Sequence, residues 1–145
     1  NGSVGAPQVV TGGQITLQFP TTKCTVGLPL KSAWQSMRFE GGSNDGVGQG
    51  KAKKVSAVVF RLEKTGAGFT YGKGTFDKEF AGFSAELPPR ETTDNMDAPP
   101  ELFDGDTYRQ AIDGGSDEQY MLRIEHSAPV PCTIIAVILT VDTTQ

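Results

Sequence analysis

A serine-type nucleophile needs an imidazole base within hydrogen-bond reach of its hydroxyl, and the sequence contains one imidazole, His126. His126 ends an apolar strand face and precedes Ser127, without the Gly-x-Ser-x-Gly turn that lifts a nucleophilic serine above a sheet. Those neighbours favour a structural histidine. Gly46-Val47-Gly48-Gln49-Gly50-Lys51 has the composition of a phosphate-cradling loop, but Asp45 stands where the first glycine is required and Ala52 follows the lysine. A hairpin loop is the better reading. The acidic residues Asp94, Asp97, Glu101, Asp104 and Asp106, with Asp113, Asp117 and Glu118, could supply paired carboxylates for glycoside hydrolysis or oxygen ligands for calcium. Asp104-Gly105-Asp106 and Asp113-Gly114-Gly115 are turn sequences for backbone reasons alone, so neither a metal nor a catalytic carboxylate is expected. Trp34, Tyr71 and Tyr108 could form a sugar-stacking platform, although Trp34 fits a core equally well. Cys24 and Cys132 lack the close Cys or His spacing of a zinc site, and two buried free thiols are expected rather than a disulfide. No catalytic residue, cofactor or metal is therefore assigned.

The elements that would position these residues read as strands. Ile15, Leu17 and Phe19 alternate with Gln14, Thr16 and Gln18, as in a half-buried strand ended by Pro20. Tyr120, Leu122, Ile124 and His126 alternate in the same way with Met121, Arg123 and Glu125. Val55 to Lys64 is apolar on both faces in its first half, which predicts a central strand. Cys132 to Val141 is apolar throughout and rich in β-branched residues, which predicts a second core strand. Shorter strands are expected at Cys24 to Leu28, Trp34 to Phe39, Phe69 to Lys73, Phe76 to Phe80 and Thr107 to Ile112. Glycines and prolines interrupt every stretch in which a helix might develop, from Gly41-Gly42 to Gly114-Gly115. About nine strands separated by turn signals predict an all-β domain, an antiparallel β-sandwich or distorted β-barrel with long loops. Pro88 to Pro100 is acidic and proline-rich without alternation, and is expected as a surface excursion.

At 145 residues, 37% hydrophobic and 21% charged, the chain suits a single domain, residues 1–145, large enough to bury a core without cross-links. Its longest strongly apolar run is Cys132 to Val141, too short for a membrane-spanning helix, which needs about 18 residues or more. The first residues have neither the basic start nor the apolar stretch of a secretory signal. Residues 1–73 carry nine Lys and Arg against three Asp and Glu, a net +6. Residues 74–145 carry four against fourteen, a net −10, and the whole is −4. A net-negative chain repels phosphate, so nucleic-acid affinity would need a strong local patch, and only Lys51, Lys53 and Lys54 offer one. Three lysines leading into an apolar run are more simply a solvated strand start. The charge asymmetry suggests instead a surface that attracts another copy of the chain head to tail.

Five stretches carry a resemblance: Val10-Thr11-Gly12-Gly13-Gln14-Ile15-Thr16-Leu17, Val26-Gly27-Leu28-Pro29, Gly50-Lys51-Ala52-Lys53-Lys54-Val55 leading to Val58-Val59-Phe60-Arg61-Leu62, Met96-Asp97-Ala98-Pro99-Pro100-Glu101-Leu102-Phe103-Asp104-Gly105-Asp106, and Pro129 to Val137. Their order and spacing resemble the C-terminal part of a tail protein family of short-tailed bacteriophages, the nozzle or tail tubular protein B type, also called stabilization proteins. Thr65 to Arg90 departs most from that pattern. The resemblance implies a C-terminal fragment of a longer virion protein, assembled in the host cytoplasm. It also implies a ring of identical subunits, six in that family, contacting other tail proteins around a DNA exit conduit. Viral DNA would pass without specific binding, and a net-negative wall would not trap it. Rings use heterologous contacts, in which one patch meets a different patch on the next copy. Lys51, Lys53 and Lys54 meeting Asp94, Asp97, Asp104 and Asp106 across a seam would fit. A host-attachment module holding a surface glycan on Trp34, Tyr71 and Tyr108 is the alternative, and a glycan or peptidoglycan hydrolase a third.

Overall fold

A computed structural model describes residues 4–18, 20–40, 50–66, 68–87, 101–112 and 115–143. Among these there is no helix. Eight strands form two antiparallel sheets that do not close into a barrel, an arrangement consistent with an all-β sandwich. Sheet one contains β1 (Ser32–Gln35), β7 (Leu122–His126), β3 (Phe69–Gly74) and β4 (Phe80–Glu86), in the spatial order β1-β7-β3-β4. Sheet two is built on β2 (Lys53–Thr65). One edge of β2 pairs with β8 (Ile134–Thr143), and the other with β5 (Phe103–Asp106) and then β6 (Gln110–Ala111). Ala57, Val58, Arg61 and Leu62 each have partners on both sides, which makes β2 the central strand that its two apolar faces predicted.

A bulge accounts for the apolar crowding in the first half of β2. Val55 pairs with Val141 but Ala57 with Thr140, so Ser56 is an extra residue without a partner. The extra residue shifts the alternation by one, and Val55 joins the face that carries Val58, Phe60 and Leu62. A second irregularity lies opposite β5, where Lys64 has φ 41° and its N–H donates to Asp104 Oδ1 at 2.6 Å. Between β5 and β6 the ladder is maintained by Thr107, whose N–H donates to Phe60 O at 2.9 Å while its Oγ1 accepts Phe60 N–H at 3.0 Å.

The core lies between the sheets. Phe60 of sheet two is fully buried against the edges of Phe69 and Tyr71 of sheet one, with ring centroids 5.0 and 5.1 Å away. Burying such a ring contributes roughly 1.5–3 kcal/mol, and each edge contact adds about 0.5–1.5 kcal/mol. Tyr120, Leu122 and Ile124 complete the sheet-one side, and Ile134, Val137 and Leu139 of β8 pack against it from sheet two.

Several elements differ from the sequence expectation. The described part of Gln14 to Phe19 forms no strand and Leu17 is exposed. Thr11 and Gln14 instead exchange backbone hydrogen bonds of 3.0 and 3.1 Å around Gly12 and Gly13, whose φ values of 60° and 78° are those of a primed hairpin turn. Cys24 to Leu28 forms no strand, and no ladder among the described residues includes it. Phe76 to Phe80 is mostly the turn between β3 and β4, closed by Thr75 N–H on Glu79 O at 2.8 Å. Thr107 to Ile112 contains only the two-residue β6. Ser36 and Phe39 lie beyond β1 yet still donate to Leu122 O and Tyr120 O. The expected excursion at Pro88 to Pro100 lies outside the described residues.

Candidate functional site

Among the described residues β1 and β8 are each paired on one side only, and they flank the same open side of the sandwich. Between them runs a groove of about 650 Å³, with Trp34 on one wall, Cys132, Ile134 and Ile135 on the other, and Ile124 and His126 at its floor. Trp34 is directly opposite Ile124 in the ladder, and directly opposed residues of antiparallel strands share a face, so the indole points to the core side. Among the described residues no strand lies beyond β1 to cover it, and it remains half exposed. His126 faces the groove from the end of β7. Its Nε2 is buried without a hydrogen-bond partner, and burial pushes its pKa down, so the ring is neutral at pH 7. Burial likewise pushes the Cys132 thiol up, opposite to the shift that activates a nucleophilic cysteine. The groove is therefore apolar and uncharged, suited to receiving side chains.

The structure separates the candidate inter-subunit residues. Lys54 is exposed and Lys51 half-buried. Lys53 is buried, a correction to its expected place at a seam. Its Nζ donates to Glu118 O at 3.2 Å, and its backbone exchanges two 2.9 Å hydrogen bonds with Asp117. Asp104 and Asp106 are occupied within the chain. Asp104 accepts the Lys64 N–H, and Asp106 receives Arg61 Nε and Nη2 at 2.7 and 2.9 Å. This bidentate pair, led by the hydrogen bond from Arg61, holds the Asp106 carboxyl below its usual range. Asp94, Asp97 and Asp113 lie outside the described residues.

Folding also redistributes the charge asymmetry. Lys31–Glu125, Arg61–Asp106 and Lys73–Asp117, at 2.6, 2.7 and 2.7 Å, each join a cation of the first half to a carboxylate of the second. The opposite charges of the two halves are thus partly consumed within the chain, which weakens the expectation of a head-to-tail attraction between copies. Asp117 is held below its usual range first by Lys73 and then by the Gln119 N–H.

A network on the outer face of sheet one had no forecast. Arg123, 7% exposed, donates through Nε and Nη2 to Glu125 Oε1 at 2.8 and 2.6 Å, and through Nη1 to Gln35 Oε1 at 3.3 Å. Glu125 Oε2 receives Lys31 at 2.6 Å. The signal was present, since opposite charges two positions apart on a strand share a face, but alternation alone reads them as solvated.

The aromatic platform does not form. Tyr71 is in the core at 2% exposure, with its hydroxyl pKa raised by burial. Trp34 belongs to sheet one, whereas exposed Tyr108 lies in the β5–β6 link of sheet two. Both cysteines are free, but Cys24 is exposed rather than buried. Among the described residues no group of three or more His, Cys, Asp or Glu could hold a metal ion, and no helix is long and apolar enough to cross a membrane. No protein-family model and no curated protein matches the chain.

Proposed function

We propose that the domain is a non-enzymatic structural module of a bacteriophage tail, part of the nozzle or tube through which DNA leaves the particle. It acts by presenting surfaces to identical subunits and to other tail proteins. One observation carries the reading: the chain leaves much of its apolar surface exposed in two regions, the edge strand β8 and the segment that precedes β1. On β8, Ile135, Ile138 and Val141 are exposed, and along residues 4–31 so are Val9, Val10, Val26, Leu28 and Leu30. Exposed apolar runs of this kind mark contact surfaces. The order of the five resembling stretches supports placing those contacts in a tail, and the net charge of −4 suits a wall past which phosphate must slide.

Gold-labelled antibody raised against the chain, applied to purified particles of the virus that encodes it, tests the proposal. Label is expected at the tail, and an amber mutation in the reading frame should leave heads that do not retain or eject DNA normally. Unlabelled particles, or full infectivity of the amber mutant, would overturn it.

A further inference from the structure

We propose that the groove between β1 and β8 receives the segment Val26–Leu30 of a second copy of this chain, laid along the free edge of β8 as an added strand. This inference deepens the assembly reading and rests on it for its biological setting.

The segment and the groove match in four respects. The first is pattern. Val26, Leu28 and Leu30 alternate with Gly27 and Pro29, so an extended backbone puts all three apolar side chains on one face, yet their exposures are 64%, 94% and 80%. Among the described residues of its own copy nothing covers this face. The second is charge. Residues 24–30 include no ionisable side chain except the Cys24 thiol, and the groove is lined by Trp34, Ile124, Cys132, Ile134 and Val137 with the one imidazole of His126. Docking strands no charge away from water. The third is length. At about 3.3 Å per residue, five residues span roughly 17 Å, close to the six-residue wall from Cys132 to Val137. The fourth is hydrogen bonding. Strand N–H groups point alternately to the two sides, and Pro29 has none, so Val26, Leu28 and Leu30 are the residues that can pair with β8. Pro29 then sits on the side away from β8, where a missing donor costs nothing and discourages a further strand.

The same geometry excludes self-docking. Only Lys31 separates Leu30 from Ser32, which already lines the groove, and Lys31 is tied to Glu125 on the outer face. Reversing a strand takes a loop of at least two residues, so a chain cannot lay Val26–Leu30 along its own groove. The donor is another copy. Arm and groove are different patches, so the contact is heterologous and repeats from copy to copy into a closed ring or an open filament.

The test uses the 145-residue chain in two variants. L28D/L30D disables the arm, and I135D blocks the groove at an exposed position, with circular dichroism to verify folding. In sedimentation velocity the wild type should associate with rising concentration, and each variant alone should associate at least tenfold more weakly. An equimolar mixture of the two should form a 1:1 pair, because one intact arm then meets one intact groove. A peptide of residues 23–31 added to L28D/L30D should shift the emission of Trp34, the only tryptophan, to the blue. A wild type that stays single at every concentration, variants that associate as it does, a mixture without the 1:1 pair, or an unchanged Trp34 spectrum would each overturn the proposal. Such a failure alongside gold-labelled tails leaves the tail assignment standing, whereas arm–groove binding with unlabelled particles defeats only the tail assignment.

Discussion

β2 and β8 are the two most apolar stretches of the chain and pair with each other, yet they meet different surroundings. β2 has a strand on each side and a sheet above it, and Val55, Val58 and Phe60 are fully buried. Among the described residues β8 has a neighbour on one side only. Its inward Val137 and Leu139 pack against the core, while Ile138 faces outward at 47% exposure. Two-faced apolarity thus marks a strand that must be covered on both faces, but whether the cover comes from its own domain or from elsewhere depends on topology.

The largest test of this contrast is Phe60→Ala, expected to cost about 3–5 kcal/mol in denaturant unfolding, because the cavity opens among Phe69 and Tyr71. A smaller loss is expected at the link between the strands. A Cβ at Gly66 would lie 2.8 Å from Val130 Cβ, so Gly66→Ala should cost roughly 1–3 kcal/mol, and Val130→Ala in the same chain, which removes the Cγ2 at 3.0 Å but keeps that Cβ, should recover only a minor share of it. Acid sharpens the comparison at the groove floor. The pKa of His126 is lower folded than unfolded, so its contribution is complete above about pH 6.5 and is lost as pH falls below that towards the folded value. The Asp117 and Glu125 contributions have the carboxylate sign and begin to decline only below about pH 5. Wild-type melting temperature should therefore fall between pH 6.5 and 5, and His126→Gln should flatten that window. A parallel decline in both proteins would refute the assignment. The smallest effect is expected at Ile138→Thr, within about 0.5 kcal/mol by the same denaturant measurement. A loss comparable to that of Phe60→Ala would erase the distinction between the two strands.

The sheet class, the central role of β2 and the strand at β7 were legible because burial leaves a periodic trace in Val55 to Leu62 and Tyr120 to His126. Whether a periodic segment finds a partner leaves none. Ile15 and Leu17 alternate as cleanly as Leu122 and Ile124, but no strand lies beside them. The candidate site was less legible still. Lys53, expected at a solvated strand start, and Tyr71, offered for a sugar-stacking platform in the alternative reading, are buried, because a long stem or a ring with one polar atom is accepted inside when that atom finds an acceptor or stays neutral. The groove depends on which two strands are left at the edges, a property of sheet order that no local spacing encodes.

Both sheets are stitched from distant parts of the chain. Ser32 meets His126, 94 positions later, and Lys53 meets Thr143. During synthesis on a ribosome, β2 would therefore emerge long before β8; sheet one could not finish until β7, ending at His126, had cleared the exit tunnel, nor sheet two until β8 had followed. Folding dominated by such remote closures is slow, and the nascent chain carries β2 without its β8 partner until that strand follows, leaving a window in which a chaperone would protect it.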